Sequence, residues 1–300
     1  MTIQEIQLDG FNQPLKFDKL DYPQCACGNC PKMFFNLLSV GARQSGKTYS
    51  LVKLLKHYES HKLVKKEGSV HPLRFILISP TSEANPIYQS LNSLDSSDIY
   101  EEYSDEVLQG IIDDVKAKRA ETDAFKEYQK AYRLLEETPE GKLSKLYDKH
   151  PEIFKLLEKH DYATPNEIEQ PTYYEYPVVF IVLDDLMGGS AFTTRAQSKL
   201  TNALIKNRHL GVVFCILVQA LKSVPKNIRL NCSVFFLAKF ANKKMILEDL
   251  YEEVSNVLKI EEFDELYSHA TEEKYGSLII DSTGDGKRFL RGLTAELKIA

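Results

Sequence analysis

The sequence of 300 residues lacks a long hydrophobic run, an even set of cysteines and a strong net charge. Its longest apolar run, VVFCILV at 212–218, is far shorter than the ~20 residues that a membrane-spanning helix needs. The N-terminal MTIQEIQLDG has no basic stretch before an apolar core, so we predict neither a secretory signal peptide nor a transmembrane segment. Five cysteines, two of them in apolar segments, are typical of a reducing compartment and not of a disulfide scaffold.

The net charge of −5 provides no bulk attraction for nucleic acid, and it is unevenly distributed. Residues 101–170 carry 18 acidic and 11 basic side chains, a net charge of −7, so the rest of the chain is close to neutral. Apolar residues in this part recur with helical spacing, which predicts an acidic helical insertion over 90–172. The insertion could contact a capsid, a membrane protein or DNA-end machinery, or be a solvated decoration, whereas its acidity argues against contact with duplex DNA.

The segment GARQSGKT at 41–48 matches the phosphate-binding (Walker A) pattern G-x-x-x-x-G-K-[ST]. The apolar MFFNLLSV at 33–40 predicts a buried strand before it, and helically spaced apolar residues over 51–58 predict a helix after it. Glycines let successive backbone N–H groups turn toward phosphate oxygens, and the helix directs its positive end at the same anion. A glycine-rich turn without a ligand is the alternative, but strand, loop and helix is the context that the pattern requires.

The pattern also predicts a role for its polar residues. We expect Lys47 to reach the β- and γ-phosphates and to be needed for catalysis, and the Thr48 hydroxyl to ligate Mg²⁺. The predicted nucleotide-binding residues are Gly41, Arg43, Gln44, Ser45, Gly46, Lys47, Thr48 and Tyr49.

A second polar feature follows the apolar segment PVVFIVL at 177–183, which reads as a strand buried on both faces. Asp184 and Asp185 come at its carboxyl end, where ligands bind in open α/β sheets. We expect Asp184 to hold Mg²⁺ together with Thr48, as a Walker B residue, and Asp185 to orient or deprotonate an attacking water. The alternative is a pair of aspartates that ends a strand in a solvated turn. The sequence NKKM at 242–245 lacks the aspartate of the guanine-specific N-K-x-D pattern, so ATP is the expected nucleotide.

A third strand is predicted at Val212–Val218, after Gly211, and it ends at Gln219. If this strand neighbours the one before Asp184, the Gln219 amide can contact the γ-phosphate or the attacking water. The order GARQSGKT, IVLDD, KNRHLGVVFCILVQ and VPKNIRLNCSVFFLAKF resembles the FtsK/HerA superfamily of ring-forming DNA translocases. Within that superfamily it is most similar to the genome-packaging ATPases of poxviruses, other large eukaryotic DNA viruses and virophages.

This resemblance implies an α/β fold, a three-layer P-loop NTPase of RecA/ASCE-like type with a mostly parallel central sheet. The resemblance covers residues 30–85 and 175–240. We predict from the residues that the other segments belong to the same single ATPase domain over 1–300: an N-terminal extension (1–32), the insertion at 90–172, and a C-terminal helix and β-hairpin (245–300) that complete the sheet. The resemblance also implies a pentameric or hexameric homo-oligomeric ring in which an arginine reaches the neighbouring subunit's γ-phosphate. Arg208 is the first candidate for that catalytic role, followed by Arg195 and Arg229.

The same resemblance implies ATP-driven translocation of double-stranded DNA, as in the packaging of a viral genome, with ATP and Mg²⁺ as ligands. A capsid or portal-vertex protein is then an expected partner, and the host-cell cytoplasm or a virus factory the expected location. Two alternatives stay open: another DNA pump of the FtsK/HerA type, and a slow, nucleotide-switched binding protein. Stimulation of ATP hydrolysis by linear duplex DNA distinguishes a motor from such a switch.

Cys25, Cys27 and Cys30 lie close together near the N-terminus. A structural zinc site needs four ligands, so these thiols would require a fourth from a distant residue or another subunit. Ordinary reduced cysteines are the simpler interpretation.

Overall fold

The structure, a computed structural model, describes residues 22–82, 85–186, 190–192, 198–240, 251 and 258–298. The strands in these ranges are, in chain order, β1 (Gln24–Cys25), β2 (Asn36–Val40), β3 (Leu63–Val64), β4 (Val70–His71), β5 (Leu73–Ile78), β6 (Leu94–Tyr100), β7 (Val178–Asp184), β8 (Val212–Val218), β9 (Val234–Ala238), β10 (Ser277–Asp281), β11 (Arg288–Arg291) and β12 (Ala295–Leu297).

The helices alternate with these strands as expected of an α/β protein. They are α1 (Lys47–Ser60), α2 (Asp105–Glu137), α3 (Leu143–Lys149), α4 (Pro151–Glu158), α5 (Lys199–Ile205), α6 (Asn207–Leu210), α7 (Lys226–Arg229) and α8 (Ile260–Ala270). Short 3₁₀ helices cover Pro86–Ser90, Glu140–Lys142, Ser190–Phe192 and Leu221–Ser223. None of the helices in the described ranges combines the length and the hydrophobicity that a membrane span requires.

Nine of the strands form one sheet, in the spatial order β12-β11-β10-β9-β2-β8-β7-β5-β6. From β9 to β6 all neighbouring strands are parallel, and β10, β11 and β12 add to β9 in antiparallel fashion. The predicted α/β fold with a mostly parallel sheet is therefore confirmed. A second, small antiparallel sheet joins β1, β3 and β4.

The central strands are buried and mostly hydrophobic because helices cover the sheet on both faces. Every residue of β2, β7 and β8 is buried. Side chains alternate between the faces: Leu37 packs in the cluster that includes the apolar side of α1, whereas Leu38 packs in the cluster that includes α2, α5 and α8. The result is three layers, with the sheet in the middle.

The prediction of helix from residue 90 onward is wrong at its start, because Leu94–Tyr100 is the edge strand β6, parallel to β5. Its sequence, LDSSDIY, is largely exposed and polar, so it offers no apolar run. The helical part begins at Asp105 with the long helix α2, and the helix ends at Glu137, just before Pro139 and Gly141. The rest of the predicted domain division remains a prediction.

A charged network fastens the edge strand and the long helix to the sheet. Arg74 of β5 donates to both carboxylate oxygens of Asp98 on β6, at 2.8 and 2.6 Å, and to Asp114 of α2, at 2.5 Å. Arg74 and Asp98 are buried, so each charge needs the other.

The C-terminal part contains the predicted hairpin, since β10 and β11 pair around a turn that includes 284–286. The strand β12 extends this edge by one strand that the sequence did not indicate. Residues 1–21, 241–250 and 252–257 lie outside the described residues, so the predicted N-terminal extension is described only from residue 22.

A candidate nucleotide-binding site at the carboxyl edge of the parallel sheet

The three segments singled out from the sequence end at the same edge of the sheet. β2, β8 and β7 are adjacent and parallel, and their registers pair Val40 with Val218 and Leu217 with Asp184. The loop at 41–48 directly follows Val40, and Gln219 directly follows Val218. Asp184 is the last residue of β7, and Asp185 comes next. Their side chains line a common cavity of about 590 Å³, whose walls are Arg43, Gln44, Lys47, Thr48, Thr81, Asn85, Asp184, Asp185, Leu217 and Gln219.

The loop between β2 and α1 depends on its two glycines. Gly46 has φ of 90°, a left-handed conformation that disfavours side chains. A Cβ on Gly41 would come within 2.5 Å of the Ser45 Oγ atom and 2.7 Å of the Ala238 Cβ atom, too close for any other residue. A buried strand, a glycine-containing loop and a helix thus follow one another in the order that the phosphate-binding pattern requires. Lys47, the first residue of α1, donates through Nζ to the carbonyl oxygens of Gly41, at 2.7 Å, and Ala42, at 2.9 Å.

Two features of this loop suit an anion. The first turn of α1 contains no acidic residue, and its N-terminal N–H groups receive no side-chain cap at Gly46. The hydroxyl oxygen of Ser45 is buried and has no hydrogen-bond partner among the described residues. A phosphate oxygen would satisfy both groups.

Asp184 lies at the centre of the buried part of the site. Its Oδ2 atom accepts hydrogen bonds from the Tyr88 hydroxyl at 2.6 Å and from the Thr48 hydroxyl at 3.3 Å. Burial raises the pKa of Asp184 although these two hydrogen bonds oppose the change. Burial lowers the pKa of Lys47, against the attraction of Asp184 and Asp185. For both side chains, burial disfavours the charged form more than the neighbouring groups favour it. A cation beside Asp184 and an anion beside Lys47 would stabilise these charges.

The pair Thr48 and Asp184 fits Mg²⁺. Both offer oxygen ligands, which Mg²⁺ prefers, and neighbouring ligands of an octahedral ion with bonds of about 2.1 Å lie roughly 3 Å apart. The separation of 3.3 Å between the Thr48 Oγ1 and Asp184 Oδ2 atoms is close to that value.

Asp185 has a backbone φ of 57°, in the left-handed region that few residues other than glycine adopt. Its Oδ1 atom accepts a hydrogen bond of 2.6 Å from the Gln219 Nε2 atom. The side chain of Asp185 is half-buried and lines the cavity. A strained residue at a cavity wall is a candidate for function, because the surrounding structure must compensate the strain.

A second cavity, also of about 590 Å³, adjoins the loop on the other side of Gly46. Tyr49 and Tyr275, both more than half exposed, contribute to its wall. Tyr275 packs against Gly46, where a Cβ atom would lie 3.1 Å from the Tyr275 Cβ atom. The ammonium of Lys274 lies 4.9 Å from the centre of the Tyr275 ring. Tyr49, predicted to bind nucleotide, therefore lies beside the phosphate loop and not in the cavity of the aspartates.

Two further residues of this region, Tyr88 and Tyr275, were not predicted from the sequence. Tyr88 belongs to the 3₁₀ helix that follows β5. Segments that follow parallel strands can reach this edge of the sheet, and this position was the signal that could have identified Tyr88. Tyr275 precedes the antiparallel strand β10, and its position beside Gly46 depends on the pairing of β10 with β9. No motif marks it.

Arg208 does not lie in this site. It belongs to α6, before β8, and the seven residues of β8 separate it by roughly 20 Å from the edge that carries Gln219. Its side chain is exposed. Arg229 also precedes a parallel strand, β9, and so lies toward the same amino edge. Arg195 lies outside the described residues.

A buried amide network supports the segment that presents Arg208. The Asn207 Nδ2 atom donates to the Phe34 carbonyl at 3.2 Å and to the Asn36 Oδ1 atom at 3.1 Å, and its Oδ1 atom accepts from the Arg208 backbone N–H at 2.8 Å. Asn36 in turn donates to the carbonyl of Asn231 at 2.8 Å. The motif segments around Arg208 and Asn231 thus meet at the start of β2.

No protein-family model matches the sequence, and no curated protein matches it significantly. Similar solved structures include the DNA-packaging ATPase B204 from Sulfolobus turreted icosahedral virus, with a TM-score of 0.44 and 14% identity over 89% of this chain and 98% of that chain. The genome-packaging NTPase B204 from Sulfolobus turreted icosahedral virus 2, in complex with AMPPCP, has a TM-score of 0.43 and 13% identity over 85% and 96%. ATPases 2 and 3 of EssC from Geobacillus thermodenitrificans have a TM-score of 0.45 and 11% identity over 85% and 38%.

These structural neighbours are of the kind expected from the resemblance to FtsK/HerA-type packaging ATPases. Likeness at these identities and TM-scores concerns the general fold and does not establish an activity.

Proposed function

We propose that the protein is an ATPase that drives translocation of double-stranded DNA, as in the packaging of a viral genome. The observation that carries the hydrolytic part is the meeting of the phosphate loop, Asp184, Asp185 and Gln219 in one cavity, with Gln219 bound to Asp185 at 2.6 Å. The DNA-translocating part rests on the resemblance of the motif segments to genome-packaging ATPases. The cavity offers candidates for the groups that bind phosphate, hold Mg²⁺ and act on water in the hydrolysis of a nucleoside triphosphate.

In this proposal the phosphate loop holds the triphosphate. Lys47 exchanges its contacts with the carbonyls of Gly41 and Ala42 for β- and γ-phosphate oxygens. The loop N–H groups and the buried Ser45 hydroxyl donate to the same phosphates. Thr48 and Asp184 would hold Mg²⁺, which neutralises phosphate charge when bound.

Asp185 then acts on water. Its carboxylate accepts a proton as the water oxygen forms a bond to the γ-phosphorus atom and the bond from that atom to the bridging oxygen of ADP breaks. Gln219 fixes the orientation of the carboxylate through the hydrogen bond to the Asp185 Oδ1 atom. Gln219 also lines the cavity that would hold the triphosphate, so its amide is proposed to contact the γ-phosphate. Loss of this phosphate after hydrolysis would then change the contacts at the end of β8.

The second cavity is proposed to receive the adenine base. It opens beside Gly46, next to the phosphate loop, and Tyr49 and Tyr275 offer aromatic rings to a flat heterocycle. Its volume of about 590 Å³ is in the range of small-molecule sites.

The arginine proposed to complete the site comes from a neighbouring subunit. Arg208 lies toward the amino edge of the parallel strands, whereas the phosphate loop follows their carboxyl edge. Contact between these two edges requires two different surfaces on each subunit, a heterologous interface, and repetition of such an interface generates a ring when the rotation closes. A pentamer or a hexamer satisfies this requirement.

The proposal is tested by measuring ATP hydrolysis with and without linear duplex DNA of random sequence, at several salt concentrations. We expect stimulation by DNA that weakens as salt increases, because contacts of a translocase with DNA are made to phosphates. The control variant Asp148→Asn, at an exposed position on α3 that does not line the cavity, should show the same stimulation as the parent protein. Hydrolysis that DNA leaves unchanged would favour the nucleotide-switched binding protein.

A further inference from the structure

Three cysteines and a histidine from separate parts of the chain converge beneath the C-terminal end of α1. The ligand-capable atoms of Cys25, Cys27, Cys30 and His57 all lie within 4.8 Å of one another. The Cys27 Sγ atom is 3.1 Å from the Cys25 Sγ atom, 3.4 Å from the Cys30 Sγ atom and 3.2 Å from the His57 Nε2 atom. His57 supplies the fourth group that the cysteine spacing lacks.

The backbone holds these two segments together independently of the four side chains. β1, which contains Cys25, pairs with β3, which follows α1 after a short turn. The Ala26 N–H donates to the Lys62 carbonyl at 3.0 Å, and the buried Tyr58 hydroxyl donates to the Pro31 carbonyl at 3.2 Å. The convergence of the cluster is therefore a product of the fold and not of chance rotamers.

The turn between the cysteines is also shaped to bring the thiols together. Gly28 has φ of 71°, a conformation available to glycine at little cost, and its N–H donates to the Cys25 carbonyl at 3.2 Å. The chain thus turns over residues 25–28, and Cys27 and Cys30 have the two-residue separation common in zinc sites.

We propose that Cys25, Cys27, Cys30 and His57 bind a structural zinc ion. Three sulfur atoms and one imidazole nitrogen form one of the closed four-ligand sets that zinc prefers. In a tetrahedral site with Zn–S bonds of about 2.3 Å, the sulfur atoms lie about 3.8 Å apart. The observed separations of 3.1 and 3.4 Å require the thiols to move apart by less than 1 Å.

The position of the cluster assigns a mechanical role to the zinc. His57 is in the last turn of α1, the helix whose first residues are Lys47 and Thr48. Ten residues of helix place the metal about 15 Å from the phosphate loop, too far to take part in hydrolysis. Zinc would link the N-terminal segment to the end of this helix, so that the helix and the loop at its start are held as one rigid unit. This role does not depend on the proposed DNA translocation.

The first test measures the zinc content of the full-length protein, purified under reducing conditions without chelator, by elemental mass spectrometry. We expect one zinc per chain, a value reduced at least fivefold in His57→Ala. The matched control is His61→Ala, four residues further along, whose ring centre lies 4.2 Å from that of His57 but whose nitrogen atoms are not part of the cluster. His57→Cys, which keeps four ligands, should retain zinc even if the alanine variant folds poorly.

The second test separates the thiols and reports on geometry. Co²⁺ added to the metal-free protein should give the visible absorption of a tetrahedral thiolate site, and Cys27→Ser should lose it, whereas Cys232→Ser, outside the cluster, should not. Chelation of the zinc should lower the melting temperature of the native protein. Less than one zinc in ten chains together with no cobalt absorption, a disulfide within the cluster under reducing conditions, or equal zinc loss in His61→Ala and His57→Ala would overturn the proposal.

Discussion

Single side chains decide how the proposed site would operate. Asp185 pairs an unusual backbone conformation, φ of 57°, with a hydrogen bond of 2.6 Å from Gln219, so its carboxylate has one preferred direction. Asp184 is more deeply buried and is held by hydroxyl donors. The two adjacent carboxylates thus occupy different environments, which is the condition for a metal ligand and a base to act side by side.

The residues of this edge could be predicted from the sequence to the extent that each follows an apolar strand. The two aspartates and Gln219 carry that signal, because parallel strands end at a common edge. Tyr88 and Tyr275 do not, because their positions depend on a 3₁₀ helix and on antiparallel pairing at the far end of the chain. His57 lies within the predicted helix of α1, and only the folded chain brings it to the cysteines.

Tyr88→Phe tests the environment of Asp184. The hydroxyl of Tyr88 stabilises the charged carboxylate, so its removal should raise the pKa of Asp184 further above the ordinary value. A carboxylate with a higher pKa is protonated at higher pH, and the acid limb of the pH profile of kcat/KM should therefore move to higher pH. The variant Tyr132→Phe, on α2, provides the control. An acid limb that stays in place, or moves to lower pH, would contradict this role for Tyr88.

At the scale of elements, the long helix α2 and the edge strand β6 are joined to the sheet through Arg74. The helix was predictable from its repeated apolar face, whereas the strand was not. An edge strand has one neighbour, and most residues of β6 are exposed, so neither a continuous nor an alternating apolar pattern marks it. The ionic hydrogen bonds of the buried Arg74 therefore link β6 to the sheet where apolar contacts are few.

Asp98→Ala should destabilise the protein by about 3 kcal/mol, the lower end of the range for breaking a buried ion pair, because Arg74 loses its buried partner and keeps only the more exposed Asp114. The measurement is unfolding by urea at neutral pH. Asp95→Ala, an exposed position on the same strand, serves as control and should destabilise the protein much less. An equal loss in the two variants would mean that the network does not hold β6.

The same network predicts the pH dependence of stability. Burial acts to raise the pKa of Asp114, but hydrogen bonds from Arg74 and Lys118 hold it below the ordinary value. The stability that the charged Asp114 contributes is therefore fully present above the pKa of about 4 that an aspartate has in the unfolded chain. It is lost as the pH falls through the lower pKa of Asp114 in the folded protein. Asp114→Asn should accordingly flatten the decline in urea midpoint at acid pH, and a decline as steep as that of the parent would contradict this assignment.

At the scale of the whole molecule, the residues with proposed functions lie at two opposite edges of the parallel strands. The carboxyl edge carries the cavity of the phosphate loop, and the amino edge carries the exposed Arg208, positioned by the amide network around Asn207. A single subunit cannot bring the two together, because the length of β8 separates them. The sequence indicated both motifs, and in the topology of the sheet the proposed contact of Arg208 with a phosphate loop would require a second copy of the chain.

Complementation between two inactive variants tests this arrangement. Lys47→Ala lacks a working loop but keeps Arg208, and Arg208→Ala keeps the loop but lacks the arginine. Mixed rings contain interfaces in which an intact loop faces an intact arginine, so the mixture should hydrolyse ATP several-fold faster than the sum of the separate variants. The control mixes Lys47→Ala with the double variant Lys47→Ala/Arg208→Ala, which should stay inactive. Hydrolysis at the parent rate by Arg208→Ala alone would exclude Arg208 as the arginine that completes the neighbouring subunit's site.

The central claim is that the phosphate loop and Asp185 form one hydrolytic site with separable duties. It is tested most directly by measuring ATP binding and turnover in Asp185→Asn beside Lys47→Ala. We predict that Asp185→Asn binds ATP within a few-fold of the parent affinity and loses turnover by about 10²–10⁴-fold, whereas Lys47→Ala loses binding. Turnover by Asp185→Asn at the parent rate, with binding intact, would contradict the account.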